Sequence, residues 1–311
     1  MASVASKEQN HFSESVRQIL LGLFQRTGID QRFRYSGIDP TMEKQFYDEA
    51  YNWNLGLTDK QLRKYGTLGL NMAITAYRHT PPEVQLAIAQ YTFLGILIDE
   101  DIMSTSVIRE FPPRLFDGRP QLHPILTQFG ETLAKMREQF APYASTVITT
   151  NSAEFVAAEM LVRDEGGPSA DRLLGSKYAD YIRLKSGLGD TYAANVWPRA
   201  MFPKTKTYVQ TFPYIAEYAC YGNDFYSFYK ESAAGETENY VSLLAAANDE
   251  STLETMEKIA ARLSDIDNLV KESLGDGSHR AAWESFTAGY AEFHLHAPRY
   301  RLRELIPEYY L

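Results

Sequence analysis

From Tyr214 to Ala297 the chain runs 84 residues without a proline. A β-rich chain needs a turn about every 8 to 12 residues, and it marks those turns with Gly, Pro, Asn or Asp. Proline's fixed φ and missing N–H also break or kink a helix interior. So long an interval without it predicts long helices. The other prolines (14 in the whole chain) gather at Pro81-Pro82, Pro112-Pro113, Pro120, Pro124 and between Pro198 and Pro213. Strand-like alternation is short and rare, so the expected fold class is all-α.

Periodicity places the helices. Ser251 and Glu254 form an S-x-x-E capping box. After them Leu253, Met256, Ile259, Leu263, Ile266 and Val270 recur every three or four residues, and Gly275 supplies a left-handed stop. This predicts a helix over Ser251–Leu274. Trp283, Phe286, Tyr290 and Phe293 then form one aromatic face that closes at Pro298. Similar patterns fit Ser13–Thr27, Glu83–Met103, Pro124–Gln139, Arg172–Leu188 and Thr205–Glu231. Loops are expected at Ser104–Pro120, Arg163–Ser169 and Glu231–Asn239. No stretch has a linker's composition and no repeat recurs at a fixed period. The expectation is a single helical domain over 1–311, with a flexible N-terminus over about 1–10.

Charge and composition remove several function classes. With 31 basic and 40 acidic side chains the net charge is −9, and no long basic cluster offsets it. Binding to a nucleic-acid backbone is therefore not expected. The single cysteine, Cys220, cannot form an internal disulfide or a thiolate metal site. Met1 to Asn10 has no apolar signal region, and no window approaches the roughly 18 apolar residues of a membrane span. A soluble, cytoplasmic protein is expected. Aromatics reach 13 %, an excess that needs a use.

One constellation stands out: Asn223-Asp224-Phe225-Tyr226-Ser227-Phe228-Tyr229-Lys230-Glu231. Asn223, Ser227 and Glu231 are four residues apart, so on a helix they line one face over roughly 12 Å. Amide, hydroxyl and carboxylate oxygens suit a hard divalent ion such as Mg²⁺. The neighbouring Lys230 offers a point charge to phosphate. Polar residues at this spacing also describe an ordinary solvated face. The aromatic residues between them argue that the polar line faces inward or lies at a cavity mouth.

Leu94-Gly95-Ile96-Leu97-Ile98-Asp99-Glu100-Asp101 is an apolar helix ending in three carboxylates. The helix dipole opposes negative charge there, which a divalent cation or a basic partner would offset; an exposed acidic helix end is the other reading. Arg299 and Tyr300, in Pro298-Arg299-Tyr300-Arg301-Leu302-Arg303, offer donors to phosphate oxygens, although taken alone the cluster reads as a surface arginine patch. Arg183 and Lys185 precede Gly187-Leu188-Gly189. That fragment lacks the strand and third glycine of a dinucleotide fingerprint and reads as a helix break. His294 and His296 point about 200° apart on a helix and cannot share a metal there. They read as core-edge and surface histidines.

Taken together, these segments resemble the class I terpene cyclases, and among them the fungal trichodiene synthase-like enzymes. NDFYSFYKE resembles the family's magnesium-binding N-D-x-x-S-x-x-x-E motif. LIDED is similar in setting to its aspartate-rich motif, although Asp99-Glu100-Asp101-Ile102-Met103-Ser104 departs from D-D-x-x-D. PRYRLREL is similar to the C-terminal Arg-Tyr signature, and YIRLKSGLG to the diphosphate-sensing arginine with its helix break. The resemblance implies a helical bundle around a central active-site cavity, with Mg²⁺ as cofactor, three ions accompanying bound diphosphate. It implies Asp99, Glu100, Asn223, Ser227 and Glu231 as metal ligands. It implies Arg183, Lys230, Arg299 and Tyr300 as the groups that grip diphosphate, and farnesyl diphosphate as substrate, with a homodimer as a possible assembly.

That reaction has clear physical demands. Diphosphate leaves only when its charge is neutralised, and the allylic cation left behind must be kept from water against aromatic walls. Phe93, Tyr290 and Phe293 are the candidate lining residues. A sesquiterpene synthase, a carbon–oxygen lyase giving a C15 hydrocarbon or alcohol, is the leading reading. The alternatives are a non-catalytic isoprenoid diphosphate-binding relative and a chain-elongating prenyltransferase. The latter normally needs a second aspartate-rich motif, where this chain has the Asn-Ser-Glu helix.

Overall fold

A computed structural model describes residues 2–169 and 174–310. Among the described residues the regular structure is helical, and the only β pairing is an isolated bridge between Phe140 and Pro198. No described helix is long and apolar enough to cross a membrane.

Helix α1 spans Ala2–Thr27, starting well before the expected Ser13. Helix α2 (Pro40–Asn52) is capped by Asp39, and α3 (Asp59–Ala76) by a Thr58/Gln61 capping box. Helix α4 (Pro82–Asp99) is apolar on nearly every side and buried along most of its length, which places it inside the bundle. It packs between α3 and α7 (Pro124–Gln139). Helix α8 (Pro142–Glu165) leads to α9 (Ser176–Ser186) and α10 (Gly189–Asn195). Helix α11 (Phe212–Ala234) packs on α10, and α12 (Tyr240–Asn248) on α13 (Thr252–Leu274). Helix α13 has the expected Ser251/Glu254 capping box and lies against α1 and α11. Helix α14 (Ser278–His296) packs along α3, and short 3₁₀ turns finish the chain from Pro298.

Further expectations need correction, and the loops expected from Arg163 and Glu231 begin only after α8 ends at Glu165 and α11 at Ala234. The helix expected over Glu83–Met103 ends at Asp99, because Glu100 is extended, with ψ 147°. The loop expected over Ser104–Pro120 contains two short helices, α5 (Thr105–Ile108) and α6 (Phe111–Asp117). Pro112 and Pro113 sit in the first turn of α6, where the missing N–H costs nothing, and Gly118 closes that helix in the left-handed region. The segment expected to be helical from Arg172 begins at Ser176, and Arg172 itself lies outside the described residues. The segment expected over Thr205–Glu231 opens with 3₁₀ turns and is α-helical from Phe212.

Helix α8 had no clear sequence signal. Its Ser and Thr residues satisfy themselves locally: the hydroxyls of Thr146, Thr149, Thr150 and Ser152 donate to carbonyls four residues back. That bonding gives the hydroxyls partners on the helix's own backbone, so the buried ones among them need none from a neighbouring helix.

The α3–α14 contact is closer than ordinary helix packing allows. A Cβ placed on Gly289 would overlap the carbonyl of Thr75. Gly289→Ala is expected to force these helices apart and to cost about 1–3 kcal/mol or more. Thermal denaturation should show a lowered melting temperature, whereas an unchanged one would mean that the two helices slide freely.

Candidate active site

Helices α3, α4, α8, α9, α10, α11 and α14 surround a cavity of about 360 Å³, within the usual size of a small-molecule site. Along α4 its wall runs from Thr92 through Gly95 and Ile96 to Asp99. Along α11 it runs from Asn223 through Ser227 to Lys230 and Glu231. Arg183 and Ser186 from α9, and Arg299 and Tyr300 from the turn after α14, complete the polar part. The apolar part is Leu68, Met72, Phe155, Leu188, Tyr192, Tyr290 and Phe293.

The chain breaks between α9 and α10 at the cavity edge. The left-handed residue there is Leu188 (φ 54°), not either glycine. Gly189 is required for a different reason: a Cβ on it would lie 2.6 Å from the Ala216 carbonyl oxygen and 2.8 Å from Cys220 Sγ. The break thus seats directly on α11, and this brings Arg183 to the cavity. The Arg183 Nε donates to Asp224 Oδ2 at 2.6 Å, while Nη2 donates to the Cys220 carbonyl at 3.1 Å and to Asn223 Oδ1 at 3.2 Å. Burial pushes the Asp224 carboxyl up to about 6, with the Arg183 charge pulling the other way. Burial likewise raises the Cys220 thiol to about 12, so it is an inert packing group.

On α11, Lys230 Nζ bonds Glu231 Oε1 at 3.0 Å. Asn223 Nδ2 lies 3.2 Å from His294 Nε2 and 3.3 Å from the Tyr300 hydroxyl. Arg299 is exposed and lies over the Tyr300 ring, with its guanidinium carbon 5.7 Å from the centroid. Across the cavity the Asp99 side chain is open to the cavity space, yet protein encloses it on most sides. That enclosure raises its pKa, while Arg299, Glu100, Arg183 and Arg163 contribute smaller and partly opposing effects.

Three carboxylates at the end of α4 called for a cation, and Arg163 of α8 supplies it. Its guanidinium donates to the carbonyls of Ile98 (2.6 Å), Met103 (2.8 Å), Asp99 and Glu100. It also lies 3.8 Å from both Asp101 and Glu159. Asp101 is fully exposed.

Glu100, expected as a metal ligand, and Phe93, expected as a lining residue, lie outside the cavity wall. Glu100 leaves the helix in an extended conformation and its carboxylate accepts from the Tyr65 hydroxyl at 3.0 Å, so it lies outside the cavity lining. Phe93 is fully buried against Phe46 and Trp53, on the side of α4 away from the cavity. Asp99, Arg183, Asn223, Ser227, Lys230, Glu231, Tyr290, Phe293, Arg299 and Tyr300 all border the cavity.

Sequence reasoning missed Phe155 and Tyr192 as wall residues, Asp224 as the partner of Arg183, and His294 as the partner of Asn223. Asp224 had a usable signal, being an acid within an otherwise aromatic helix. Phe155 and Tyr192 had none, because an aromatic residue in a buried helix looks the same whichever neighbour it faces.

The oxygen donors fit a hard divalent cation. Among the described residues no three His, Cys, Asp or Glu side chains converge to hold a metal. An Asn-Ser-Glu face opposite an aspartate instead offers amide, hydroxyl and carboxylate oxygens, the ligand types Mg²⁺ takes.

Residues 43–309 match the sequence profile of the family described as trichodiene synthase (TRI5). This chain belongs to that family. Its terpene synthase relatives cover most of its length. Terpene synthase 29 of Postia placenta (strain ATCC 44394 / Madison 698-R) is 33 % identical over 86 % of this chain and 78 % of its own. Monoterpene synthase 25 of the same fungus is 31 % identical over 86 % and 80 %. The fold is that of class I terpene synthases. The crystal structure of linalool/nerolidol synthase from Streptomyces clavuligerus, in complex with 2-fluorogeranyl diphosphate, superposes with a TM-score of 0.61. That match covers 83 % of this chain and all of the other at 14 % identity.

Burial against the Asp99 charge raises the Glu159 carboxyl to about 8, with burial the larger cause and Arg163 opposing it. A carboxyl whose folded pKa lies above its unfolded value near 4.5 stabilises the fold below that value. The contribution is lost as pH rises through about 8. The melting temperature of the metal-free protein should therefore fall between about pH 5 and 8, and Glu159→Gln should flatten the decline. An identical pH profile in the variant would rule Glu159 out as its source.

Proposed function

We propose that this terpene synthase ionises farnesyl diphosphate in a Mg²⁺-dependent reaction, guides the carbocation through cyclisation and releases diphosphate with a C15 hydrocarbon or alcohol. The observation that carries this is the division of a single cavity. Arg183, Lys230 and Arg299 share its polar part with the oxygen-bearing Asp99, Asn223, Ser227 and Glu231, and the remaining wall is largely aliphatic and aromatic.

Arg183, Lys230 and Arg299 grip the diphosphate, and the Tyr300 hydroxyl donates a further hydrogen bond. Asp224 keeps the Arg183 guanidinium aimed at the cavity before substrate arrives. Asp99 on one wall, and Asn223, Ser227 and Glu231 on the other, would hold Mg²⁺. When bound, the ion supplies the positive charge that makes diphosphate a competent leaving group. Lys230 is released from Glu231 to meet the phosphate oxygens. Tyr192, Tyr290, Phe293 and Phe155 face the isoprenoid chain, exclude water and offer ring faces to the migrating positive charge.

A second reading takes geranyl diphosphate as the substrate, and the relative named a monoterpene synthase favours it. Incubation with farnesyl diphosphate and Mg²⁺, followed by gas chromatography–mass spectrometry of the organic extract, distinguishes the two. A dominant cyclic C15 product that disappears on chelation is the expected result. Product from geranyl diphosphate alone would move the assignment to C10. No Mg²⁺-dependent diphosphate release from either, or from geranylgeranyl diphosphate, would leave a binding protein.

In the active enzyme, Asn223→Ala combined with Ser227→Ala is expected to lower turnover by at least about 100-fold, since disturbing the mere supports of metal ligands costs 10- to 100-fold. Steady-state kinetics check this, and unchanged turnover would remove these two residues from the metal site.

A further inference from the structure

His294 is buried on all sides, on a helix whose aromatic residues are otherwise cavity wall and core. Its ring lies 4.8 Å from that of Tyr226 and 4.5 Å from that of Tyr300, centroid to centroid, and contacts Tyr290 and Phe293 edge-on. Nδ1 lies 2.7 Å from the Tyr290 carbonyl oxygen. A carbonyl only accepts, so Nδ1 carries the proton and donates it there. In a neutral imidazole Nε2 is then a bare acceptor, and it lies 3.2 Å from Asn223 Nδ2.

The Asn223 amide consequently has one satisfactory orientation. One of its two N–H groups goes to His294 Nε2 and the other to the Tyr300 hydroxyl at 3.3 Å. Its oxygen then faces Arg183, whose Nη2 donates to it at 3.2 Å, and the cavity. With the amide flipped, the oxygen would meet the Nε2 lone pair and the NH₂ would meet the guanidinium N–H groups. Both contacts are repulsive.

We propose that His294 is a positioning residue that fixes the Asn223 side chain with its oxygen toward the metal-binding face. This rests on the reading of Asn223 as a Mg²⁺ ligand. It adds a residue on a different helix whose tautomer decides which atom of that ligand is presented. The Tyr290 backbone carbonyl in turn sets the tautomer, so the α14 backbone is coupled to the ligand face of α11 through one imidazole.

The test uses inorganic diphosphate and Mg²⁺ in titration calorimetry on the full chain, with thermal melting to establish that each variant is folded. His294→Phe keeps the ring volume and removes the acceptor, and it should weaken Mg²⁺–diphosphate binding by about 10- to 100-fold. His294→Gln, whose amide oxygen replaces Nε2 as acceptor, should recover most of that loss. In an Asn223→Ala background, His294→Phe should add nothing further, because its effect passes through the asparagine.

Parent-like binding by His294→Phe while Asn223→Ala is impaired would overturn the positioning role alone. Parent-like binding by Asn223→Ala would overturn the ligand reading beneath it. Independent, multiplying losses in the double variant would reduce His294 to a packing residue. Long-range ¹H–¹⁵N spectra of the unmodified protein need no variant to fold: they should show His294 protonated at Nδ1 and bare at Nε2, and the opposite tautomer would overturn the proposal.

Discussion

The ion pair between Arg183 and Asp224 is the contact on which the polar half of the cavity depends. A guanidinium placed inside a helical bundle is tolerated only when hydrogen bonds and an opposite charge replace its water. Asp224 does this at 2.6 Å, and the Cys220 carbonyl and Asn223 oxygen take further N–H groups. Removing the carboxylate would leave a buried unpaired charge, a loss of about 3–5 kcal/mol in comparable pairs. The pair also fixes the end of α9 against the middle of α11, and the Gly189 contact with Ala216 allows that approach. Position and charge are thus set by one arrangement.

The same economy governs other charged groups at and near the cavity. Lys230 and Glu231 hold each other, and Arg163 takes the carbonyls that the end of α4 leaves without partners. Arg183, Lys230 and Glu231 thus each have an oppositely charged partner within the protein. A diphosphate accompanied by cations offers the same charges better partners. Lys230 is the group for which the exchange is simplest, since its present partner is the adjacent residue and not a distant element.

The aromatic excess serves two separate purposes. Tyr192, Tyr290, Phe293 and Phe155 wall the cavity, whereas Trp197, Tyr208, Phe212 and Phe202 pack on one another in a core cluster that contributes nothing to its lining. Phe93 belongs with the second group despite lying one residue from the lining Thr92. Neighbours on a helix point about 100° apart, so adjacency in sequence says little about which residue meets the ligand.

Local signals were enough for much of the helical plan and for one face of the site. The Ser251/Glu254 box, the apolar run of α4 and the four-residue spacing of Asn223, Ser227 and Glu231 are properties of a single helix, decided by propensity and by the 3.6-residue repeat. Where α4 stops was not legible, because its end depends on Arg163, more than sixty residues away. Nor was the assignment of Asp99 to the cavity and of Glu100 to Tyr65, nor the histidine that orients Asn223. Each of these is a contact between helices distant in sequence, and no periodicity within one helix encodes which neighbour it will face. The sequence by itself determined the helices, their polar and apolar faces and the chemistry available to them. Only tertiary packing decided which of those groups meet around the cavity, because burial makes every buried charge and amide depend on the partner another helix brings.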